Sequence, residues 1–241
     1  MNSQIEETVR NCSKCATFQN KQTPEPLKPS PVPELPYQVV GCDLFDFQSK
    51  KYLILVDYFS HYVDVVELKS PSTTSTLEAM KSVFACHGIP RQLRSDNGPQ
   101  FTSQQFKSFC RVYDIEHKTS SPNFQSSNGE AERAVQTVKR LWRKADDKYV
   151  ALLDYRTTPL EGINLSPAQL LMNRRPRNTM PASTEVLKPT AYHDNTVKAR
   201  MKLNKANQKK HFDQRYIAKE LEPLKPTDSV RIMPNSGERQ W

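Results

Sequence analysis

The chain has 241 residues, of which 36% are hydrophobic, enough for one ordinary domain core with polar extensions around it. Lysine and arginine outnumber aspartate and glutamate by 35 to 26, and this formal charge of +9 favours a polyanionic partner, either nucleic acid or an anionic membrane surface. No stretch is apolar enough for a membrane span or a signal peptide, and the 5 cysteines are too scattered for a disulfide framework. We therefore expect an intracellular protein of the cytosol or nucleus.

The N-terminal part of the chain is predicted to lack a packed core. Residues 1–21 contain the pair Cys12-Ser-Lys-Cys15, and residues 22–36 include TPEPLKPSPVPELP, in which 6 of 14 residues are proline. Proline at this density excludes a helix or a central strand. We interpret residues 22–36 as a linker.

Three strands open the predicted fold. Residues 37–48 alternate between two faces, and KYLILVDYFS and YVDVVELK follow as two further strands, joined around Ser60 and His61. From Thr74 the apolar residues take helical spacing, and this helix is expected to stop at Gly88.

Two further strands and two helices follow. RQLRSD predicts a short strand that leads into the turn Asn97-Gly98-Pro99, and IEHKTS predicts a fifth strand. Between them, Thr102 and Gln105 have the spacing of a capping box for a helix. A long amphipathic helix then carries its apolar residues on one face: Ala131, Ala134, Val135, Val138, Leu141, Trp142 and Ala145. This order predicts an α/β domain with a mixed sheet.

Beyond residue 160 the patterns are weaker. SPAQLLMNRRPRN predicts one more helix, and residues 196–212 form a basic stretch that contains no acid. Its cations are Lys198, Arg200, Lys202, Lys205, Lys209 and Lys210. This stretch is interpreted either as a phosphate contact or as a solvated helix face or disordered tail.

Four acids follow predicted strands or lie within them. Asp43 lies on an otherwise apolar strand face, where an ionised carboxylate is costly unless it is paired or binds a metal. Asp46, beside the turn QSKK, and Asp57, at the end of LILV, are interpreted as solvated turn acids. Asp96 ends a short strand, where ligand-binding residues of open α/β sheets commonly lie, but an Asx turn accounts for it equally well.

The stretch SSNGEAERAVQTVKR holds two glutamates one residue apart. Ser127 and Glu130 have capping-box spacing, so Glu130 is predicted to close the helix N-terminus and to have no catalytic role. Glu132 is interpreted as a surface salt bridge or as a third member of a carboxylate cluster with Asp43 and Asp96, the kind of oxygen-rich cluster that suits Mg²⁺ or Mn²⁺. It shares its helix face with polar residues: Gln136, Lys139 and Arg143.

Asp43, Asp96 in SDNGPQF and Glu132 in SNGEAER, with 35 residues between the second and third acid, resemble the D,D(35)E signature of retroviral-type integrases. The resemblance is closest to integrases of gypsy-type LTR retrotransposons and extends in order from residue 12 to about residue 180. The phrases that carry it are YLILVDYFSHYV, FACHGIPRQLRSDNGPQF, AERAVQTVKRLW, LLDYRTTP and SPAQLLMNRRPR.

The resemblance implies an RNase H-like catalytic core, with two Mg²⁺ or Mn²⁺ ions held by Asp43, Asp96 and Glu132. Such enzymes process the 3′ ends of element DNA and transfer them into target DNA, so we expect double-stranded DNA as partner, a homo-oligomer, a nuclear location and no membrane association. The resemblance also implies DNA contacts by Asn97, Asn128 and Lys139. Two residues that share the helix face of Lys139 are predicted to join it: Gln136 and Arg143.

The chain departs from the family pattern at both ends. Family members carry a His-His-Cys-Cys zinc module, but no histidine precedes His61, so Cys12 and Cys15 are predicted to be an orphan half-site and not a zinc centre. The loop before the long helix lacks the family's second proline and the aromatic residue after Pro122. LKPTDSVRIMPNSGERQW resembles only the first strand of the family's small β-barrel.

These observations predict four segments. They are a zinc-module remnant (residues 1–21), the linker (22–36), the integrase catalytic core (37–180) and a helical, basic C-terminal extension with a truncated barrel start (181–241). We expect a fragment of a transposon polyprotein or a host gene derived from one. The leading function is an integrase-type polynucleotidyl transferase. The alternatives are a catalytically inactive, domesticated nucleic-acid-binding protein and a simple RNase H-like nuclease.

Overall fold

The structure, a computed structural model, describes residues 2–12, 24–119, 129–189 and 191–220. The chain divides into two compact units: Ser30–Asn204, and a smaller unit formed by Met1–Pro29 with Lys205–Trp241. Residues 24–38 contain neither helix nor strand, as their prolines predict. The predicted core, residues 37–180, lies within the larger unit.

The larger unit is built on one five-stranded sheet with the order β3-β2-β1-β4-β5. β1 pairs antiparallel with β2 and β2 with β3, whereas β1 pairs parallel with β4 and β4 with β5. The predicted mixed sheet is therefore confirmed. The strands are β1 (Val39–Phe47), β2 (Lys50–Asp57), β3 (Val63–Leu68), β4 (Gln92–Ser95) and β5 (Glu116–Thr119).

The predicted helices are present in the described part of the chain, and helices over Asn2–Asn11, Pro99–Thr102, Lys148–Thr157 and Thr184–Leu187 were not predicted. The predicted stop near residue 88 and the amphipathic helix after residue 128 are confirmed, although the latter ends at Trp142, before the predicted Ala145. The helices are α1 (Asn2–Asn11), α2 (Thr73–His87), α3 (Pro99–Thr102), α4 (Gln104–Val112), α5 (Gly129–Trp142), α6 (Lys148–Thr157), α7 (Pro167–Met172), α8 (Thr184–Leu187) and α9 (Asp194–Tyr216).

Both faces of the sheet are covered, which explains why both faces of β1 are apolar. Val40 and Cys42 belong to the buried cluster with apolar residues of α2 and α4. Phe45, on the opposite face, belongs to the cluster with the apolar face of α5 and the start of α6. Asp43 shares the face of Phe45, so it lies under α5.

The predicted capping box of Thr102 and Gln105 is wrong. Pro99 starts the short helix α3, which takes in Thr102, and the Thr102 hydroxyl donates to the carbonyl of Gly98 at 3.3 Å. Ser103 is the N-cap of α4, and its Oγ accepts the Phe106 N–H at 3.2 Å. Because the short helix that begins at Pro99 takes in Thr102, the N-cap of the next helix lies one residue later than predicted, at Ser103.

The basic stretch forms most of α9, so the solvated-helix interpretation describes it better than a disordered tail. In the larger unit, Val197 and Met201 of this helix are buried against Phe59 and Leu170. In the smaller unit, Asp213 Oδ1 accepts the Leu27 N–H at 2.8 Å. Among the described helices, none is both long and apolar enough to cross a membrane.

Candidate active site

The parallel pairing of β1 with β4 brings two of the predicted acids together. The register pairs Val39 with Gln92 and Gly41 with Arg94. Asp43 and Asp96 each follow this last pair by two residues, Asp43 within β1 and Asp96 directly after the end of β4. Extending the register would set the two residues opposite each other, and the negative charge of Asp96 does raise the pKa of Asp43.

The charge on Asp43 is influenced by the other predicted site residues. The pKa of Asp43 is raised to about 6, chiefly by burial and in addition by the negative charges of Asp96 and Glu132. The Leu44 N–H, which donates to Asp43 Oδ1 at 2.7 Å, and the Lys139 ammonium both lower it. Asp96, which follows β4, and two residues of α5, Glu132 and Lys139, are therefore close enough to Asp43 on β1 to shift its pKa.

Asp96 makes the Asx turn that the sequence offered as an alternative. Its Oδ1 accepts the N–H of Gly98 at 3.0 Å. Its carbonyl oxygen accepts the Ser95 hydroxyl at 2.7 Å, and that hydroxyl also lies 2.9 Å from His117 Nε2 on β5. These bonds hold Asp96 at the end of β4, so the Asx turn and the position beside Asp43 are compatible.

A glycine in β1 allows α5 to approach the sheet closely. A Cβ on Gly41 would lie 2.8 Å from Tyr58 Cε2 and 3.4 Å from the Ala131 Cβ. Ala131 is fully buried at this contact. The two glutamates of the opening stretch flank Ala131, and they face different partners.

Glu132 lies on the exposed side of α5, and its negative charge raises the pKa of Asp43. Within the described residues, no lysine or arginine forms an ion pair with it. Glu130 faces the other way, with its Oε2 3.4 Å from His61 Nδ1. Sequence reasoning missed this partner. The predicted cap partner of Glu130, Ser127, lies outside the described residues, so the capping box stays a prediction.

The predicted DNA-contacting residues are placed as follows. Lys139 is partly buried, with Nζ 5.6 Å from the ring centre of Phe45, on the same strand face as Asp43. Gln136 is exposed on α5, Arg143 is exposed directly after its end, and Asn97 is exposed directly after Asp96. Asn128 lies outside the described residues.

The two turn acids differ from each other. Asp46 is exposed and accepts from Lys51 Nζ at 2.8 Å, which confirms the interpretation as a solvated acid. For Asp57 that interpretation is wrong, because it is 1% exposed. Its carboxylate accepts hydrogen bonds from three backbone N–H groups and one hydroxyl, those of Tyr37, Phe59 and Ser60. Burial raises its pKa, while these donors lower it.

No ready-made metal-ligand group is present among the described residues. No three or more of their His, Cys, Asp or Glu side chains are arranged to hold an ion. Asp96 and Glu132 are thus close enough to raise the pKa of Asp43, but the three acids do not form such a group. Cys12 is partly buried, and Cys15 lies outside the described residues, so the zinc prediction stays untested.

Residues 33–123 match the family model of the integrase core domain. The chain is 33% identical over 253 aligned residues to the uncharacterized protein K02A2.6 of Caenorhabditis elegans, covering 100% of this chain and 19% of that protein. It is 27% identical over 254 aligned residues to the transposon Tf2-3 polyprotein of Schizosaccharomyces pombe, covering 95% and 19%. The chain thus spans about a fifth of the length of these relatives.

The fold has a match among solved structures. A chain of the simian T-cell lymphotropic virus intasome, solved in complex with PP2A regulatory subunit B56 gamma, superposes with a TM-score of 0.60 at 22% identity, covering 80% of this chain and 73% of that one. The predicted RNase H-like fold is confirmed. Residues 33–123 are thus similar to the integrase core domain, and the chain as a whole is similar in sequence to transposon polyproteins. The closer assignment to gypsy-type elements stays a prediction.

Proposed function

We propose that this chain is the catalytic core of an integrase-type polynucleotidyl transferase, which processes the 3′ ends of DNA and joins them to target DNA. The observation that supports the proposal is that the negative charges of Asp96 and Glu132 both raise the pKa of Asp43, in a sheet whose β1–β4 register leads toward Asp43 and Asp96. Carboxylates that repel one another at one sheet edge are typical of a site that takes up cations.

The candidate site residues are of the type that binds divalent metal ions. The acids supply only oxygen ligands, which Mg²⁺ and Mn²⁺ prefer, and a cation would relieve the repulsion that raises the pKa of Asp43. Asp43, Asp96 and Glu132 would hold the metal. When bound, two such ions activate an attacking oxygen and stabilise a leaving oxygen in phosphoryl transfer. With a pKa of about 6, Asp43 is mostly ionised at pH 7 and available as a ligand.

Residues around the acids are suited to hold DNA. Lys139 lies beside Asp43, and Gln136, Arg143 and Asn97 are exposed nearby on α5 and after β4. Together with the formal charge of +9, they support phosphate binding. As the function implies, we also expect the protein to assemble as a homo-oligomer and to act in the nucleus.

Strand joining by the purified protein tests the proposal. The substrates are short duplexes with a recessed 3′ end and a plasmid target, with Mg²⁺ or Mn²⁺. We expect Asp96→Asn to abolish joining while DNA binding is retained. The matched control is Asp46→Asn, which removes an exposed acid from the same sheet and should join like the wild type.

Three outcomes would contradict the proposal. If folded Asp96→Asn joins strands as efficiently as the wild type, the acids take no part in the reaction. A folded wild-type protein that binds DNA but joins no strands, with either metal, would favour the inactive DNA-binding alternative. Cleavage of DNA without joining would favour the nuclease alternative.

A further inference from the structure

The connection between β2 and β3 is a rigid turn built around a buried carboxylate. Asp57 Oδ2 accepts the Ser60 hydroxyl at 2.6 Å and its N–H at 2.9 Å, while Oδ1 accepts the Tyr37 N–H at 3.0 Å. The Ser60 Oγ in turn accepts the Tyr62 N–H at 3.1 Å. Every residue from Tyr58 to Ser60 is buried. A turn with this many internal bonds has little freedom to move.

His61 is held by this turn in a left-handed backbone conformation, with φ of 56°. Its N–H donates to the Asp57 carbonyl at 2.8 Å, and its own carbonyl accepts the Tyr155 hydroxyl of α6 at 3.0 Å. A residue other than glycine keeps such a backbone only where its surroundings enforce it. The turn thus fixes the backbone position from which the imidazole of His61 extends.

The imidazole meets Glu130 at the start of α5. Glu130 Oε2 lies 3.4 Å from His61 Nδ1, and the two side chains are 18% and 31% exposed. Tyr58 and Tyr155 lie close by: burial raises the pKa of each to about 12, and the charge of Glu130 contributes to both. The Glu130 carboxylate is therefore placed in an enclosed position against the turn and not in open solvent.

Ala131, which lies between the two glutamates in sequence, is the residue of α5 that packs against the sheet at this point. It packs at the place where Gly41 has no side chain, and residues 130 and 132 are separated by about 200° around a helix axis. Glu130 therefore points to His61 while Glu132 points to the side of Asp43. A rotation of α5 that moved Glu130 away from His61 would also move Glu132 relative to Asp43.

We propose that Glu130 is a positioning residue, which through His61 sets the rotation of α5 and thereby the placement of Glu132 beside Asp43. The inference rests on the proposed function to the extent that Glu132 acts together with Asp43. It gives the two neighbouring glutamates separate roles: Glu132 belongs to the site, and Glu130 holds the helix that carries it.

Paired substitutions in the full chain test this role. Glu130→Ala removes the carboxylate, Glu130→Gln keeps an acceptor for the imidazole, and His61→Asn removes the imidazole while tolerating the left-handed backbone. The matched control is His87→Asn. His87 Nε2 lies 3.2 Å from Asp64 Oδ2, a second partly buried histidine–carboxylate pair, which joins α2 to β3 away from α5. Thermal unfolding identifies the folded fraction of each variant.

The first readout is the kinetics of strand joining per folded molecule. We expect Glu130→Ala and His61→Asn to lower kcat about 10-fold with KM for DNA within about 2-fold, since misplacement of a reacting group acts on the chemical step. The double variant should be no worse than either single one, and Glu130→Gln should recover most of the rate. His87→Asn should keep the wild-type kcat. A wild-type kcat in Glu130→Ala, or an equal loss in His87→Asn, overturns the inference.

The second readout does not depend on catalysis. Titration of the DNA-free proteins with Mn²⁺ measures whether the three acids remain together. We expect weaker Mn²⁺ binding by Glu130→Ala and His61→Asn, with wild-type binding by His87→Asn. If the wild-type protein joins no strands, the proposed function fails, while this titration still decides the positioning role. Equal Mn²⁺ affinity in all variants overturns it.

Discussion

Asp43 lies alongside Asp96 because β1 and β4 run parallel in a register that pairs Gly41 with Arg94, two residues before each acid. The pairing concentrates negative charge at a partly buried position, and burial together with this charge raises the pKa of Asp43 to about 6. The same arrangement that suits a cation therefore weakens the fold when no cation is bound.

Asp43→Asn should stabilise the metal-free protein. The pKa of Asp43 is raised from 3.8 to about 6 in the fold, so between these values the native state binds more protons than the unfolded state, and stability falls as pH rises through that window. At pH 7 the ionised carboxylate costs at most about 3 kcal/mol, from ~1.4 kcal/mol per pKa unit. We expect a gain of about 1–3 kcal/mol in the free energy of unfolding at pH 7.

Urea unfolding in the presence of a chelator, at pH 4 and pH 7, measures this effect. The gain should fall to about 0.5 kcal/mol at pH 4, where Asp43 is protonated in the native state and roughly half ionised in the unfolded state. Asp46→Asn, which removes an exposed acid, should change stability by less than about 0.5 kcal/mol at either pH. Destabilisation by Asp43→Asn at pH 7 would contradict the prediction.

Gly41→Ala should destabilise the fold and impair strand joining together. The new Cβ would stand 2.8 Å from the buried ring of Tyr58 and 3.3 Å from Val56 Cγ1, so the ring or α5 must shift. Overpacking of this kind costs about 1–3 kcal/mol. Gly129→Ala is the control, since nothing lies within 4 Å of a Cβ there. Equal unfolding free energies for both variants would show that the fold has room for a Cβ at Gly41.

Asp57→Ala should be among the most destabilising substitutions of an acid in this chain. It leaves the buried N–H groups of Tyr37, Phe59 and Ser60 without their acceptor. We expect a loss of about 2–4 kcal/mol, because an unpaired buried donor costs about 1–3 kcal/mol. Chemical denaturation measures it, with Asp46→Ala as the exposed control. A loss below about 1 kcal/mol, the size expected for a surface substitution, would contradict the role of Asp57.

The basic helix α9 offers a graded test of DNA contact. Lys202 and Lys210 are exposed, whereas Lys198 pairs with Glu34 at 2.6 Å and Lys209 with Asp213 at 2.7 Å. Replacing the exposed pair by alanine should make the slope of log K against log salt shallower by about 1.8, at ~0.9 per phosphate contact. Replacing Lys198 and Lys209 removes the same charge but should change the slope less. An unchanged slope in both variants would leave α9 outside the DNA contact.

Regular patterns in the sequence were sufficient for most of the fold. The alternation over Val39–Phe47 and the helical spacing after residue 128 predicted elements that the structure contains, because each face of those elements is buried against one partner layer. Asp43 was identifiable for the same reason: a carboxylate on an apolar face departs from the pattern around it.

Single side chains at element ends were predicted less well. The capping box at Thr102 failed because Pro99 started a helical turn earlier, and Asp57 was taken for a solvated acid although it is buried. In both cases the local spacing was compatible with two conformations, and contacts with distant residues decided between them. Ser60, three residues after Asp57, was the local signal for a closed turn.

The sequence by itself determined the order of strands and helices, the apolar faces and the acids Asp43, Asp96 and Glu132, because periodicity and residue chemistry are local properties of the chain. Only the tertiary structure decided which acids meet and which glutamate faces them. The strand register sets Asp43 against Asp96, and the contact of Ala131 with Gly41 turns Glu132 toward Asp43 and Glu130 toward His61. These contacts are between residues up to about ninety positions apart in the sequence. Packing of the folded chain brings such residues together, and no local sequence pattern specifies it.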